Sequence, residues 1–267
     1  MKNKIVVLLT GQLRYFNKKN YEILKKNFKK YDLIFFIASW RNEEKILKNK
    51  FKKLYKPNIF LEIQNKRFLN LVKKIKIPDA AVKSENIFQM WHSFIKGCEL
   101  LKDQKFKIPP KYILRYRSDL LPSIDQEINL NSLKEDSILI PDLNHWNGVN
   151  DQFFIFHFSM IDKILNFPKF INEYLNKKLL FSSELIFLRF LTKFKININY
   201  MNYNYKIMKK KFKVVKNNNF KNNKKLIPAK EKIFISINKL KFKIRNFKEF
   251  YITKTKRNKY QDILIKN

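Results

Sequence analysis

Residues 5–9 form a continuous apolar run with β-branched positions, closed by Gly11. A strand buried on both faces of a parallel sheet reads this way. Residues 17–30 follow with Tyr21, Leu24 and Phe28 at helical spacing. A second apolar run at 32–40, a helical stretch at 42–55 with Ile46 and Leu47 inward and Pro57 as its stop, and a third run at 58–63 complete a β-α-β-α-β alternation. That alternation predicts an α/β fold, a doubly wound, mostly parallel sheet flanked by helices with right-handed crossovers. After an irregular basic stretch at 64–83, Ser84 reads as an N-cap with Glu85 in the first turn. The helix 85–102 sets Ile87, Met90, Phe94, Cys98 and Leu101 on one face, which assigns Cys98 to the core. Segments 111–121, 137–141, 152–158 and 196–206 read as strands, and 160–167, 170–177 and 182–194 as helices.

Composition narrows the chemistry. Of 267 residues, 45% are hydrophobic and 15% aromatic, too much apolar material for a disordered chain. The three glycines stand alone at 11, 97 and 148, so there is no Walker A loop and no G-x-G-x-x-G. A single cysteine excludes a disulfide framework and any cysteine-built zinc or iron–sulfur site, and fits a reducing compartment. The three histidines, 92, 145 and 157, have no metal-binding spacing. The formal charge of +36 fits AT-biased coding as well as selection for basicity, but its distribution is uneven. Residues 206–267 hold 21 Lys/Arg against 3 Asp/Glu. We therefore expect a body at 1–206 and, at 207–267, a basic linker plus an amphipathic C-terminal segment. There, Ile233, Ile237, Leu240, Ile244, Phe247 and Tyr251 make one narrow helical stripe flanked by Lys239, Lys241, Lys243, Arg245 and Lys248. Such a helix suits an anionic inner-leaflet membrane surface or the protein's own body; strict alternation over 239–245 also fits a half-buried strand. No apolar run approaches the roughly 20 residues of a membrane span. The first residues imitate a secretory leader only briefly, since the run stops at Thr10 and Arg14 follows. The expected location is cytoplasmic, peripheral on the inner membrane if the C-terminal helix binds lipid.

Ligands of open α/β sheets bind at the carboxyl ends of strands, and three polar clusters fall there. In the first, Gly11 allows a tight turn, with Gln12 beside it and Arg14 in reach of an anion. In the second, Arg115, Arg117 and Asp119 share one face of an extended segment, two guanidiniums and a carboxylate suited to a phosphate or diphosphate. An exposed strand face, with Asp119 making a turn before Pro122, is the competing explanation. In the third, Gly148 permits a tight loop that sets Asp151 at its mouth as a general base or hydroxyl acceptor; an Asx-rich turn explains it too. Glu184 adds a carboxylate at a helix start, where the dipole alone accounts for it. Trp146, in the same polar loop, is the candidate for stacking on a sugar, whereas Trp91 belongs to the core.

The order Val7-Leu-Leu-Thr-Gly-Gln-Leu-Arg14, Phe35-Phe-Ile-Ala-Ser-Trp40, Glu85-Asn-Ile-Phe-Gln-Met-Trp91, Arg115-Tyr-Arg-Ser-Asp119, Asn150-Asp-Gln-Phe153, Ser183-Glu184 resembles bacterial GT-A-type glycosyltransferases of surface-polysaccharide and lipopolysaccharide synthesis. The likeness spans residues 4–205 and rests on order and spacing. It implies a GT-A-like (Rossmann-like) domain, a nucleotide-sugar donor and a saccharide or lipid-linked acceptor. Gly11, Gln12, Arg14, Arg115, Arg117 and Asp119 would then serve the donor, Asp151 and Glu184 the acceptor and the chemistry, and Trp146 the sugar. Asp119 matches the last Asp of a D-x-D or R-x-D element and would be the ligand of a Mg²⁺ or Mn²⁺ ion. Arg117 stands where the first Asp would be, and a protein cation there takes over part of the metal's charge. Two other classes remain: a basic nucleic-acid-binding protein, for which no RRM, KH or helix-turn-helix pattern is present, and a polysaccharide sulfotransferase, for which Thr10-Gly11-Gln12 is a poor phosphate loop.

Overall fold

The apolar run after Lys4 forms β1 (Lys4–Gly11), and its neighbours follow as α1 (Lys18–Asn27), β2 (Asp32–Trp40), α2 (Lys45–Tyr55) and β3 (Ile59–Ile63). Next come α3 (Leu69–Val72), β4 (Ile77–Pro78), α4 (Ser84–Lys102), β5 (Tyr112–Tyr116), β6 (Leu120–Pro122), β7 (Ser137–Pro141) and β8 (Phe153–His157). A 3₁₀ turn (Phe158–Met160) leads into α5 (Ile161–Ile164), α6 (Phe167–Leu175), β9 (Leu180–Phe181), α7 (Ser183–Lys193), β10 (Asn197–Met201) and β11 (Tyr205–Ile207). The computed structural model describes residues 2–13, 18–64, 67–79, 82–123, 126–143, 148–177, 179–208 and Ser236. The chain divides into two units, Met1–Leu226 and Ile227–Asn267, and the elements above belong to the first.

Seven of the described strands form one sheet in the order β10-β7-β8-β5-β1-β2-β3. β5, β1, β2 and β3 run parallel, as do β10 and β7, while β8 is antiparallel to both of its neighbours. The sheet is mostly parallel and flanked by helices, as the alternation predicts. Alternate side chains of β1 explain the layers. Ile5, Val7 and Leu9 join Leu24 of α1, Phe28 just after it, and Phe51 and Tyr55 of α2 in one core cluster. Leu8 faces the opposite side, where Gly97 lets α4 approach so closely that a Cβ would stand 2.9 Å from a Leu8 methyl. Each of these fully buried aliphatic side chains contributes about 1.5–3 kcal/mol of transfer free energy.

Three local expectations are corrected. Ile46 is 69% exposed; the buried positions of α2 are Lys48, Phe51 and Tyr55. Lys48 is held by Glu62, at 3.0 Å, and by the Arg41 carbonyl. Ser84 is the first residue of α4, and the N-cap is Lys83, whose side chain makes no capping bond. Finally, the expected strand at 111–121 is two elements: β5 stops at Tyr116, and β6 pairs antiparallel with β11. The expected strand at 196–206 is split in the same way.

Candidate active site

A cleft of about 350 Å³ opens where β1, β2 and β5 end. It joins all three polar clusters and Glu184: Thr10, Gly11 and Gln12 from the end of β1, Arg117 and Asp119 after β5, Asp151 and Gln152 before β8, and Ser183 and Glu184 opening α7. Parallel β1, β2 and β5 bring their carboxyl ends to one side, and antiparallel β8 brings its amino end there. Topology thus explains why segments more than a hundred residues apart meet.

Gly11 has φ +89°, a left-handed conformation that favours glycine. The turn it starts is tied to the loop after β5 by Ser118 Oγ, which donates to the Gln12 carbonyl at 3.3 Å. In that loop, Arg117 donates from Nε to Asp119 Oδ1 at 3.0 Å and from Nη2 to Oδ2 at 2.6 Å. The pair is a bidentate fork, its carboxylate 3% exposed and its guanidinium 22%. The Met208 amide, donating to the Asp119 carbonyl at 2.8 Å, anchors the loop to β11.

Asp151 is held from both sides. Asn150 donates from Nδ2 to the Leu143 carbonyl (2.9 Å) and the Tyr205 hydroxyl (2.6 Å), while its Oδ1 accepts the Gln152 amide. Ser183 Oγ donates to Asp151 Oδ2 and accepts the Trp91 indole N–H at 3.0 Å. Gly148 lies so close to α7 that a Cβ would land on the Glu184 carbonyl, which accepts the Val149 amide at 3.1 Å. Burial first, then the neighbouring carboxylates of Asp151 and Asp79, push Glu184 up to about 8, against the pull of its own backbone N–H and Arg117. Glu184 thus holds its proton to higher pH than an ordinary carboxyl.

Arg115 does not line the cleft. β5 ends at Tyr116, so strand alternation does not carry on to 117 and 119. The Arg115 side chain instead enters the layer between β5 and α4, fully buried among Trp91, Phe94 and Phe154. Arg14 and Trp146 lie outside the described residues. The cleft also contains Trp40 at the end of β2, a tryptophan able to stack on a sugar or base, Met90 of α4, expected on the core face of its helix, and Asn86 and Gln89, which had no assigned role. Their signal was polar positions in the first turns of an otherwise apolar helix, and a tryptophan closing an apolar strand. Trp91 is core, 1% exposed. A larger groove of about 880 Å³ runs along β10, but its acidic group, Glu127, is committed to Lys29 and Lys30.

The donor set for a divalent cation was tested against this geometry. Asp119 spends both oxygens on Arg117. Among the described residues no group of three or more His, Cys, Asp or Glu side chains is placed to hold an ion. The described residues do not by themselves assemble a metal site.

No protein-family model matches the chain. No curated protein matches it either. Among solved structures, it is similar to core-mannan synthase A from Aspergillus fumigatus in a Mn/GDP form, at 10% identity and TM-score 0.44, over 77% of this chain and 74% of that one. It is similar to the galactosyltransferase LgtC in complex with donor and acceptor sugar analogs, at 8% identity and TM-score 0.43, over 74% and 72%. It is also similar to 4-diphosphocytidyl-2C-methyl-D-erythritol synthase from Anaerococcus prevotii, at 12% identity and TM-score 0.41, over 75% and 88%.

Proposed function

We propose that the protein is a glycosyltransferase that moves a sugar from a nucleotide-sugar donor to a hydroxyl of a saccharide or lipid-linked acceptor. One observation carries the reading: a guanidinium held by a carboxylate and a pair of unlike carboxyl groups share one cleft at the strand ends. Transfer needs two things that this set can supply. The donor's anomeric C–O bond breaks, leaving negative charge on a nucleoside diphosphate, and a guanidinium fork suits that charge. The acceptor oxygen bonds to the anomeric carbon and loses its proton, which the Asp151 carboxylate accepts. Glu184, protonated, donates a hydrogen bond to a sugar or phosphate oxygen. Asp119 keeps Arg117 oriented until the diphosphate competes for it. Trp40, stacked on His92 with centroids 6.4 Å apart, offers an aromatic wall to a base or sugar. The proposed setting is cell-surface polysaccharide synthesis at the inner leaflet, supported by the basic stripe at 233–251.

The test is a thermal-shift screen against UDP-, GDP- and CMP-sugars and the sulfate donor, followed by assay of the released nucleotide, a nucleoside diphosphate from UDP- or GDP-sugars and CMP from a CMP-sugar. Stabilisation by one nucleotide sugar is expected. Asp119→Asn should keep the fold and cut transfer by at least about a hundredfold, roughly 2.7 kcal/mol of transition-state stabilisation. Full turnover in that variant removes Asp119 from the site. Stabilisation by the sulfate donor alone would replace the reading with sulfuryl transfer.

A further inference from the structure

Arg115 is a cation with no exposed surface. Its guanidinium carbon lies 4.6, 5.0 and 5.3 Å from the ring centroids of Trp91, Phe94 and Phe154. None of its three side-chain nitrogens has a hydrogen-bond acceptor among the described residues. Aromatic faces offset part of the desolvation, but unpaired guanidinium N–H groups in such a layer destabilise a fold. An aliphatic side chain of similar length would fill the space without that loss. A costly group that packing does not require calls for another explanation.

Its surroundings provide one. The charges whose fields reach it are Asp151, which attracts it, and Arg117, which opposes it, while burial keeps the Cys98 thiol of α4 neutral. Burial draws the guanidinium down to about 10, so it stays charged at neutral pH. The Trp91 indole links the two sides: its face carries Arg115, and its N–H holds Ser183, which donates to Asp151. A guanidinium in direct contact with a carboxylate makes a dipole with a short-ranged field. Caged by neutral rings, the same group acts as an isolated charge in a weakly polarisable medium, and its field extends further.

We infer that Arg115 is a positioning residue: a caged, unneutralised cation that supplies the countercharge a buried Asp151 needs while leaving that carboxylate on the cleft. Asp151 is 2% exposed and has a second carboxyl, Glu184, beside it, itself flanked by Asp79 and Arg117. Two such groups tend to share one proton. A fixed positive charge on the Asp151 side settles the proton on Glu184. The inference rests on the reading of Asp151 as the group that takes the acceptor's proton.

Full-length wild type, Arg115→Met and Arg115→Lys separate the possibilities. Arg115→Met should melt at or above wild type, because an apolar side chain replaces an unpaired buried charge. Carbon-13 carboxyl titration, assigned with Asp151→Asn, should show Asp151 in the Met variant protonating about one pH unit or more higher than in wild type. The Lys variant should stay near wild type. The acid limb of any pH–rate profile should shift the same way. An Asp151 titration that is the same in wild type and Arg115→Met overturns the inference, as does a Met variant that melts well below wild type. Carboxyl titration needs no substrate, so it decides the matter even if every nucleotide sugar fails as donor, an outcome that counts against the proposed function instead.

Discussion

Arg117 and Asp151 line the same cleft, but their chemistry separates them. Arg117 offers a planar fork already formed against Asp119, whereas a lysine ammonium carries its donors on one nitrogen and cannot reproduce that geometry. Arg117→Lys should therefore weaken nucleotide-sugar binding by about tenfold or more by calorimetry. Asp151→Asn leaves that fork in place and should lower turnover with donor affinity nearly constant. Equal donor affinity in wild type and Arg117→Lys would remove Arg117 from the diphosphate. Glu184 makes a third residue-level prediction. Burial and Asp151 raise its folded value to about 8, above the ordinary 4.5. Its contribution to stability is therefore complete below its unfolded value and is lost as pH rises through about 8. Urea unfolding should show this contribution to wild-type stability falling between about pH 4.5 and about pH 8 and levelling off above that, and Glu184→Gln should flatten the fall. A slope unchanged in Glu184→Gln would mean that another group carries it.

Between elements, the contact that matters most to the cleft is the loop before β8 against the start of α7. Gly148 fits there because a Cβ would meet backbone, and backbone cannot rotate aside. Gly148→Ala should cost about 1–3 kcal/mol of stability and displace Glu184 from Asp151; an unchanged melting temperature and unchanged turnover would show that the loop simply moves. The same scale explains what was legible in the sequence. β1 and β2 could be read because strands buried on both faces leave continuous apolar runs, and α4 because it has a polar and an apolar side. Gly11, Gln12, Arg117, Asp119, Asp151 and Glu184 were legible as polar groups at strand or helix ends, where a parallel sheet gathers them. Arg115 misled because alternation was extended past Tyr116, and whether a strand continues is decided by its partner: here β8 ends its pairing with β5 at Phe153. Ile46 misled because Lys48, Phe51 and Tyr55 set the inward face of α2; Leu47 packs at its edge, and Ile46 is left exposed. Asn86 and Gln89 carried no role because a single polar residue on a helix reads equally well as ordinary surface, and Trp40 was legible only as one of three tryptophans able to stack on a sugar or base.

Across the whole molecule the charge is unevenly spread. Nearly a quarter of the chain, 206–267, holds 21 of the 58 Lys/Arg and only 3 of the 22 Asp/Glu. The stripe from Ile233 to Tyr251 with its flanking lysines lies outside the described residues, so its role rests on the sequence pattern. Among the described residues no helix is long and apolar enough to cross a membrane. A basic amphipathic helix gains on an anionic surface in two ways: its apolar face enters the headgroup boundary, and each Lys or Arg near the surface adds about 1 kcal/mol. The second gain is screened by salt, because the Debye length falls from about 10 Å at 0.1 M to about 3 Å at 1 M. Packing of the same stripe against protein would need no lipid charge. Co-sedimentation separates the two. Full-length protein should pellet with vesicles containing phosphatidylserine, pellet less with neutral vesicles, and be released as salt rises, whereas a 1–225 truncation should stay in the supernatant. Equal pelleting of both proteins would place the contact on the body's own surface charge, and pelleting of neither would leave the stripe as a packing face and the acceptor unconnected to the membrane.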